Sequence, residues 1–583
     1  MPEFKSDFLK AIDRLDLKTE DSIELFFMLK AWKIVSSLDY IDEYLKFDYF
    51  FENMIEAKHL QGIFKALSKD FKVFKLYLKE AHYLKKVDNI TLELLYYFIN
   101  CDLIIDIKVN DIFHYKNSSY HHIVSYQIAE LGIRLALSDD CSKPIYTPFT
   151  NGFSCSYASS NKIIAESTYE YSAFIAELMS VVENKDIEFI LNDAIKKPSL
   201  KEYGSSSLLR QFDAVISFPP LGRDERRDLN SKFILTRRDK NITIDIAYFL
   251  HVLSHTSKKA VIMMPVGLSY RTGAESEFRE YLVKKNLLEA LIQLPPNFHS
   301  GTSLETTLFV INRDKKTDKT LFINLKGDRF LIRDSKKMIF KDIYDIVDIY
   351  ETHQEIENVS ALISNKEIEM FNYSLSIERY VMNKKLKELK DTLHSHELVK
   401  LKDIAQIRRS QLFSEKDGGQ SVYELSPSDF SRAGFTKEGL KTKNIDTKSN
   451  KYNIYKLMPY DILLSAKGTI GKVAIISEEF QKPLIASQAS EIIRLNNKKD
   501  AIVVYMFLKS NIGQALLKQL TSGSAMPQIA SSDIKGFLVP VFSEEQKKKM
   551  VSSFYKEIEL YGEIDRLEGE IRGVHEKILF FLN

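Results

Sequence analysis

Residues 259–313 read KAVIMMPVGLSYRTGAESEFREYLVKKNLLEALIQLPPNFHSGTSLETTLFVINR. The runs KAVIMMPVG, LLEALIQLP and TTLFVINR are short enough for strands and too uniformly apolar for strands with one wet face. Between the first two lies ESEFREYLVKKN, whose apolar residues return at helical spacing. The same alternation extends towards the N-terminus. KPIYTPF, KIIAES, IEFILND and FDAVISFPP are further short β-rich runs, and YEYSAFIAELMSVVEN supplies a helix between the second and third. Buried strands alternating with helices predict a doubly wound α/β domain with a parallel sheet covered on both faces. Such sheets take their ligands beyond the carboxyl ends of the strands.

The flanking segments have a different texture. Residues 1–140 place apolar residues at i, i+3, i+4 and i+7 with almost no Gly or Pro, which predicts a helical N-terminal domain. The α/β domain is assigned to 141–382. Residues 383–542 mix short β runs, Gly turns and a helical insert (AIVVYMFLKSNIGQALLKQL), as an α+β domain would. Residues 543–583 form one amphipathic stripe: Met550, Phe554, Ile558, Tyr561, Ile564, Leu567, Ile571, Val574 and Ile578. That stripe predicts a single helix roughly 50 Å long, packed against another helix of the same chain or of a partner.

Composition narrows the class. The apolar fraction is 44% and the charged fraction 28%, as in an ordinary globular protein. No apolar run approaches the ~20 residues that span a bilayer. The start, MPEFKSDFLKAIDRLD, has no signal-peptide core, so a cytoplasmic location is expected. Cys101, Cys141 and Cys155 lack metal-ligand spacing, and no metal site is expected. A net charge of +2 does not by itself announce nucleic acid, so a DNA-binding face must come from local clusters such as Arg408-Arg409 and the 441–451 stretch. There is no Gly-x4-Gly-Lys-Ser/Thr phosphate loop.

Within the C-terminal third, Asp461-Ile462-Leu463 through Gly468-Thr469-Ile470-Gly471-Lys472 reads as strand, Gly-hinged turn, strand. Lys467 and Lys472 flank the turn within reach of a phosphate backbone, a type of contact that positions a protein on DNA without specifying the site. The runs YKLMPYDILLSAKGTIGKVAII, IASQASEIIRL and SGSAMPQIASSDIKGFLVPVFSEEQ, in that order, resemble the specificity subunits of type I restriction–modification systems over nearly all of 397–583. The resemblance implies a target-recognition domain followed by a spacer helix. It makes Arg408, Arg409, Lys467, Gly468 and Lys472 the candidate DNA-binding residues. Arg408 and Arg409 fall where that family has a glycine, so a different turn is expected there. Such subunits carry two recognition domains and two helices. This chain has one of each, so two copies pairing through 543–583 are expected to read a split, inverted-repeat double-stranded DNA site.

Residues 1–382, above all the stretch first quoted and FNYSLSIERYV, resemble the modification subunit of the same systems, an N6-adenine DNA methyltransferase with a Rossmann-like fold. That likeness implies S-adenosylmethionine as cofactor. The motifs depart from the pattern. The Asp-Pro-x-x-Gly-x-Gly turn appears as Thr147-Pro148-Phe149-Thr150-Asn151-Gly152-Phe153, and a Phe at 153 is expected to obstruct the cofactor. Thr147, Asn151 and Gly152 therefore stand at degenerate cofactor positions. Glu166 matches the acid that holds ribose hydroxyls, Asp193 the acid that holds the adenine amine, and Tyr120-His121-His122 an upstream Tyr-Thr-Pro element. Whether the cofactor binds is left open.

The catalytic Asn-Pro-Pro-aromatic motif appears as Phe218-Pro219-Pro220-Leu221. Phe218 offers no acceptor for the amine of a flipped adenine, and Leu221 offers no aromatic face. Ser217 precedes the motif position by one residue, which in a strand turns it to the opposite face. The expected function is a sequence-specific DNA-binding protein of restriction–modification or phage-defence type on an inactive methyltransferase scaffold, with any nuclease supplied by a partner. The alternative is an active, site-specific adenine methyltransferase with divergent motifs.

Overall fold

A computed structural model of the chain describes residues 2–101, 107–109, 112, 124–137, 142–150, 152–202, 208–221, 242–296, 304–334, 337–382, 388, 393, 396–436, 441–480, 483–521 and 528–580. The chain divides into two compact units, Met1–Asn365 and Lys366–Asn583. The run NKKLKELKDTLHSHEL, which reads as a connecting helix, lies largely outside the described residues, and Tyr120-His121-His122, Cys141 and Asn151 lie outside them altogether.

In the first unit the apolar runs are β1 (Ile145–Pro148), β2 (Ile163–Ser167), β3 (Ile187–Leu191), β4 (Phe212–Ser217), β5 (Thr256–Pro265), β6 (Leu288–Leu294) and β7 (Thr306–Asn312). Four more strands follow: β8 (Lys319–Asn324), the paired β9 (Leu331–Asp334) and β10 (Lys337–Phe340), and β11 (Ser360–Ser364). Apart from the β9–β10 hairpin they form one sheet in the order β11-β8-β6-β7-β5-β4-β1-β2-β3. The run from β5 to β3 is parallel throughout, and β6 is parallel to β8. β7 enters antiparallel between β5 and β6. The chain between Leu294 and Thr306 is too short for the dozen-residue crossover that a parallel neighbour needs, so the strand reverses.

Helices cover the sheet. Ile128, Leu131 and Leu135 of the helix Tyr126–Ala136 share a buried cluster with Ile145, Ile163, Ala214, Ile216 and Val261. The helix Tyr171–Glu183 buries Phe174, Leu178 and Met179 together with Trp32, Phe64, Phe74 and Tyr77 of the N-terminal helices, so those helices share a core with the α/β layer. Trp32 meets Phe47, Phe50 and Phe64 edge-on at 5.3–5.6 Å. The buried Glu24 carboxylate accepts from Tyr83 Oη at 3.0 Å and from Tyr171 Oη, which ties the helical segment to the helix on the sheet. A carboxylate is tolerated there because its donors replace the water that burial removes.

The second unit holds β12 (Leu398–Lys400), β13 (Ala405–Arg409), β14 (Gln420–Leu425), β15 (Lys441–Ile445), β16 (Ile462–Ser465), β17 (Val473–Ile475), β18 (Leu484–Ala486), β19 (Ser490–Leu495) and β20 (Leu538–Pro540). They form small sheets ordered β13-β19-β16-β17, β15-β14-β18 and β12-β20. Arg494 of β19 donates to the buried Asp461 carboxylate at 2.7 and 2.6 Å, a two-pronged pairing that locks β16 beside its neighbour. The expected helical insert is two helices, Lys498–Lys509 and Asn511–Gln519. Ser510 breaks them, because its hydroxyl caps the second by accepting from Gly513 N at 3.1 Å.

The C-terminal helix runs Glu544–Phe580, 37 residues. Its apolar stripe is not one face. Phe554 is fully buried against Tyr505 and Phe435 at 5.6 and 5.3 Å, and Met550 and Ile558 pack around it. Gly434 makes that docking close. Its φ is +64°, and an added Cβ would stand 2.3 Å from Ile558 Cγ1. Further along, Leu560, Ile564, Leu567, Ile571 and Val574 are 40–59% exposed. Their spacing alternates four and three, the repeat that a coiled-coil seam would require, and they lie off the face that carries Phe554.

Candidate functional site

The degenerate turn after β1 is built by two left-handed residues, Phe149 at φ +67° and Gly152 at φ +68°. A Cβ on Gly152 would lie 2.5 Å from Thr147 Oγ1 and 2.9 Å from Ile163 Cγ2, so glycine is required by packing against the sheet itself. The Phe149 ring folds onto Tyr248 and His251, with centroids 4.5 and 5.0 Å apart. Phe153 corrects the expectation made for it. It begins the helix Phe153–Ala158 and is fully buried in the core shared with the N-terminal helices, so it does not stand in the turn. Thr147 is likewise buried, with its hydroxyl directed to Ile164 O at 3.5 Å.

Glu166 lies at the carboxyl end of β2 and is 1% exposed. Its Oε1 accepts from Ser199 Oγ at 2.7 Å and Asn192 Nδ2 at 2.6 Å, and its Oε2 accepts from Tyr146 Oη at 2.5 Å. Burial raises the Tyr146 phenol well above its ordinary pKa and lowers His251 well below. The phenol therefore keeps its proton for Glu166 and meets His251 Nε2 at 2.8 Å as the acceptor. Asp193 accepts from the backbone N–H of Ile195 and Lys196, each at 3.2 Å, and so closes the turn after β3. Both acids that the resemblance marks for a nucleoside are engaged with protein groups.

At the catalytic motif, Phe218 is 3% exposed and belongs to the core beneath the helix Tyr126–Ala136. Its Cζ would sit 3.3 Å from a Cβ placed on Gly132, so a small residue at 132 makes room for the ring. Pro219 is buried, Pro220 half-buried, and Leu221 packs on the same core. Ser217 is fully buried and donates to Pro148 O at 3.1 Å, which holds β4 to β1. The hydroxyl is thereby committed.

In the second unit Arg408 and Arg409 lie in strand β13, a correction to the turn expected there. Arg408 is exposed and donates to Ile454 O at 2.9 Å. Arg409 stands 3.9 Å from the buried Glu491 carboxylate, whose pKa burial raises. The expected strand–turn–strand is present as β16, the 466–472 turn and β17. Gly468 and Gly471 take φ of +74° and +84°. Gly468 has open space where a Cβ would point, and Lys467 beside it is exposed. Lys472 instead donates to Pro427 O at 3.1 Å. Of the candidate cations, Lys467 is the one on the open tip of the turn. Among the described residues no group of three or more His, Cys, Asp or Glu is placed to hold a metal, and no helix is long and apolar enough to cross a membrane.

The fold and these motifs define a methyltransferase-type α/β domain joined to a DNA specificity module. Residues 167–389 match the N-6 DNA Methylase family and residues 395–568 match the Type I restriction modification DNA specificity domain, so the chain fuses the two. Its relatives are methylase subunits of type I restriction enzymes. It is 34% identical to the MpnII methylase subunit of Mycoplasma pneumoniae over 32% of this chain and 36% of that protein. It is 26% identical to the MjaVII methylase subunit of Methanocaldococcus jannaschii over 38% of this chain and 40% of that protein. The chain thus spans well under half the length of these relatives. The fold is similar to that of the type I restriction–modification methyltransferase subunit from Streptococcus thermophilus, with a TM-score of 0.51 and 17% identity over 65% of this chain and 97% of that one.

Proposed function

We propose that this protein reads a specific double-stranded DNA site without methylating it, and that it does so as a homodimer. The observation that carries the reading is Phe218. At the position where an adenine amine requires an acceptor, this chain has an aromatic ring buried in its core. Losing one positioned polar group of this kind costs on the order of 10²–10³ in rate in comparable electrostatic sites. Leu221 in place of an aromatic removes the stacking surface as well.

The match to the specificity domain supports DNA reading, with the Lys467–Gly468 tip as a phosphate contact. The exposed seam Leu560, Ile564, Leu567, Ile571, Val574 supports pairing of two C-terminal helices. Two-fold pairing of single recognition domains calls for an inverted-repeat site. Any strand cleavage falls to a partner nuclease. The test is incubation of the protein with genomic DNA fragments and labelled S-adenosylmethionine, followed by filter capture. Captured fragments without incorporated label are expected. Label in adenine would establish the alternative, an active methyltransferase with divergent motifs.

A further inference from the structure

A carboxylate at the end of the second strand of a nucleoside-binding sheet is useful because it can accept from two neighbouring ribose hydroxyls. Glu166 occupies that place, and each of its oxygens already accepts from a hydroxyl: Oε2 from Tyr146 Oη at 2.5 Å and Oε1 from Ser199 Oγ at 2.7 Å. Asn192 Nδ2 adds a third donor at 2.6 Å. The donors come from β1 and from the segment after β3, so one buried carboxylate gathers two separate pieces of chain. Asn192 also donates to Lys197 O at 2.7 Å, and Asp193 caps the same turn. The segment that supplies Ser199 is therefore braced in place.

We propose that Glu166 is an internal latch: the hydroxyls of Tyr146 and Ser199 take the place of a ribose diol, so the domain fastens its 192–199 segment to the sheet with the group that would otherwise bind a nucleoside cofactor. A ligand would have to displace charge-assisted hydrogen bonds from a site with almost no exposed surface. The reverse also holds, because removing a donor leaves a buried charge short of a partner. The latch rests on the reading of this domain as a scaffold that no longer transfers methyl groups, but it does not depend on DNA recognition.

The experiment uses the full chain, with S-adenosylmethionine and adenosine as probes in isothermal titration and thermal unfolding. Neither ligand is expected to give saturable heat or to raise the melting temperature. Glu166→Gln and Ser199→Ala are each expected to lower the melting temperature by about 1–4 °C, at roughly 1.3 °C per kcal/mol for the Met1–Asn365 unit. Combining Glu166→Gln with Tyr146→Phe is expected to lower it by less than the two separate shifts together, because both remove the same bond. Saturable binding of either probe to the unaltered chain, weakened by Glu166→Gln, would overturn the latch, and this arm stands even if the variants fail to fold. An unchanged melting temperature in Glu166→Gln would overturn it as well. Cofactor binding without methyl transfer would remove the latch while leaving the DNA-reading proposal in place.

Discussion

Leu567→Ala, and then Leu567→Asp, probe the proposed pairing of the C-terminal helices. Leu567 is 48% exposed, and its neighbours on the seam, Ile564, Ile571 and Val574, are 40%, 56% and 59% exposed. Fully burying such a side chain contributes about 2 kcal/mol, so completing the burial of one that is half covered contributes about 1 kcal/mol. A two-fold dimer contains every position twice. Leu567→Ala therefore removes about 2 kcal/mol per dimer, and the dissociation constant rises roughly 30-fold at about 1.4 kcal/mol per tenfold. Leu567→Asp adds a carboxylate pressed against apolar side chains in each copy, and the dimer is lost over the accessible range. Arg566, beside it, pairs with Glu570 on an exposed face at 2.9 Å and serves as the control, because Arg566→Ala leaves the seam intact. Sedimentation equilibrium across the micromolar range reads all three. A wild-type chain that stays monomeric throughout, or an Asp variant as dimeric as the wild type, would refute the pairing.

Other consequences are open to direct measurement. Phe218→Asn combined with Leu221→Phe is expected to restore no methyl transfer, and Phe218→Asn alone to lose about 3–5 kcal/mol of stability, because it empties a ring-sized volume in the core and buries an amide; labelled-methyl incorporation and denaturant unfolding check the two halves. Gly434→Ala is expected to loosen the C-terminal helix from the recognition domain, since its Cβ would overlap Ile558 at a positive φ; faster proteolysis of the 544–580 helix reports it. Asp213 is held down to about 2, first by its hydrogen bond to Lys143 and then by Ser257 and Lys258. A depressed carboxylate stabilises the fold above its unfolded pKa of about 3.9 and loses that contribution as pH falls towards 2, so Lys143→Met should flatten acid unfolding over that window, by about 2 kcal/mol at most. Lys467→Ala should weaken DNA binding evenly across sequences and reduce the salt slope by about 1, whereas Lys472→Ala, whose ammonium is committed to Pro427 O, should change the slope less.

The central sheet is legible in the sequence because strands buried on both faces must be apolar nearly without interruption, and such runs stand out between Ile145 and Asn312, the half-exposed edge strand β3 being the exception. β8 and β11 are less visible, because Lys319–Asn324 and Ser360–Ser364 sit among charged connections. The reversal of β7 depends on connection length and not on the strand's own residues. Phe153 shows a limit of position matching: the spacing places a ring in the turn, but Gly152 in the left-handed region starts a helix that carries the ring into the core. The donors to Glu166 lie 20, 26 and 33 residues from it, and Asn192 and Ser199 fit no motif, so nothing local marks them. The C-terminal stripe is visible as a stripe, but its division into a docked part around Phe554 and an exposed seam from Leu560 depends on where the helix Lys498–Lys509 and the Gly434 loop end.

The most direct measurement of the central claim is selection of bound duplexes from random DNA by the full chain, with the recovered sequences aligned for symmetry. Enrichment of one split inverted repeat, with S-adenosylmethionine making no difference to what is recovered, is the expected result. Recovery of no common sequence, or of a single asymmetric half-site bound by a monomer, would contradict it.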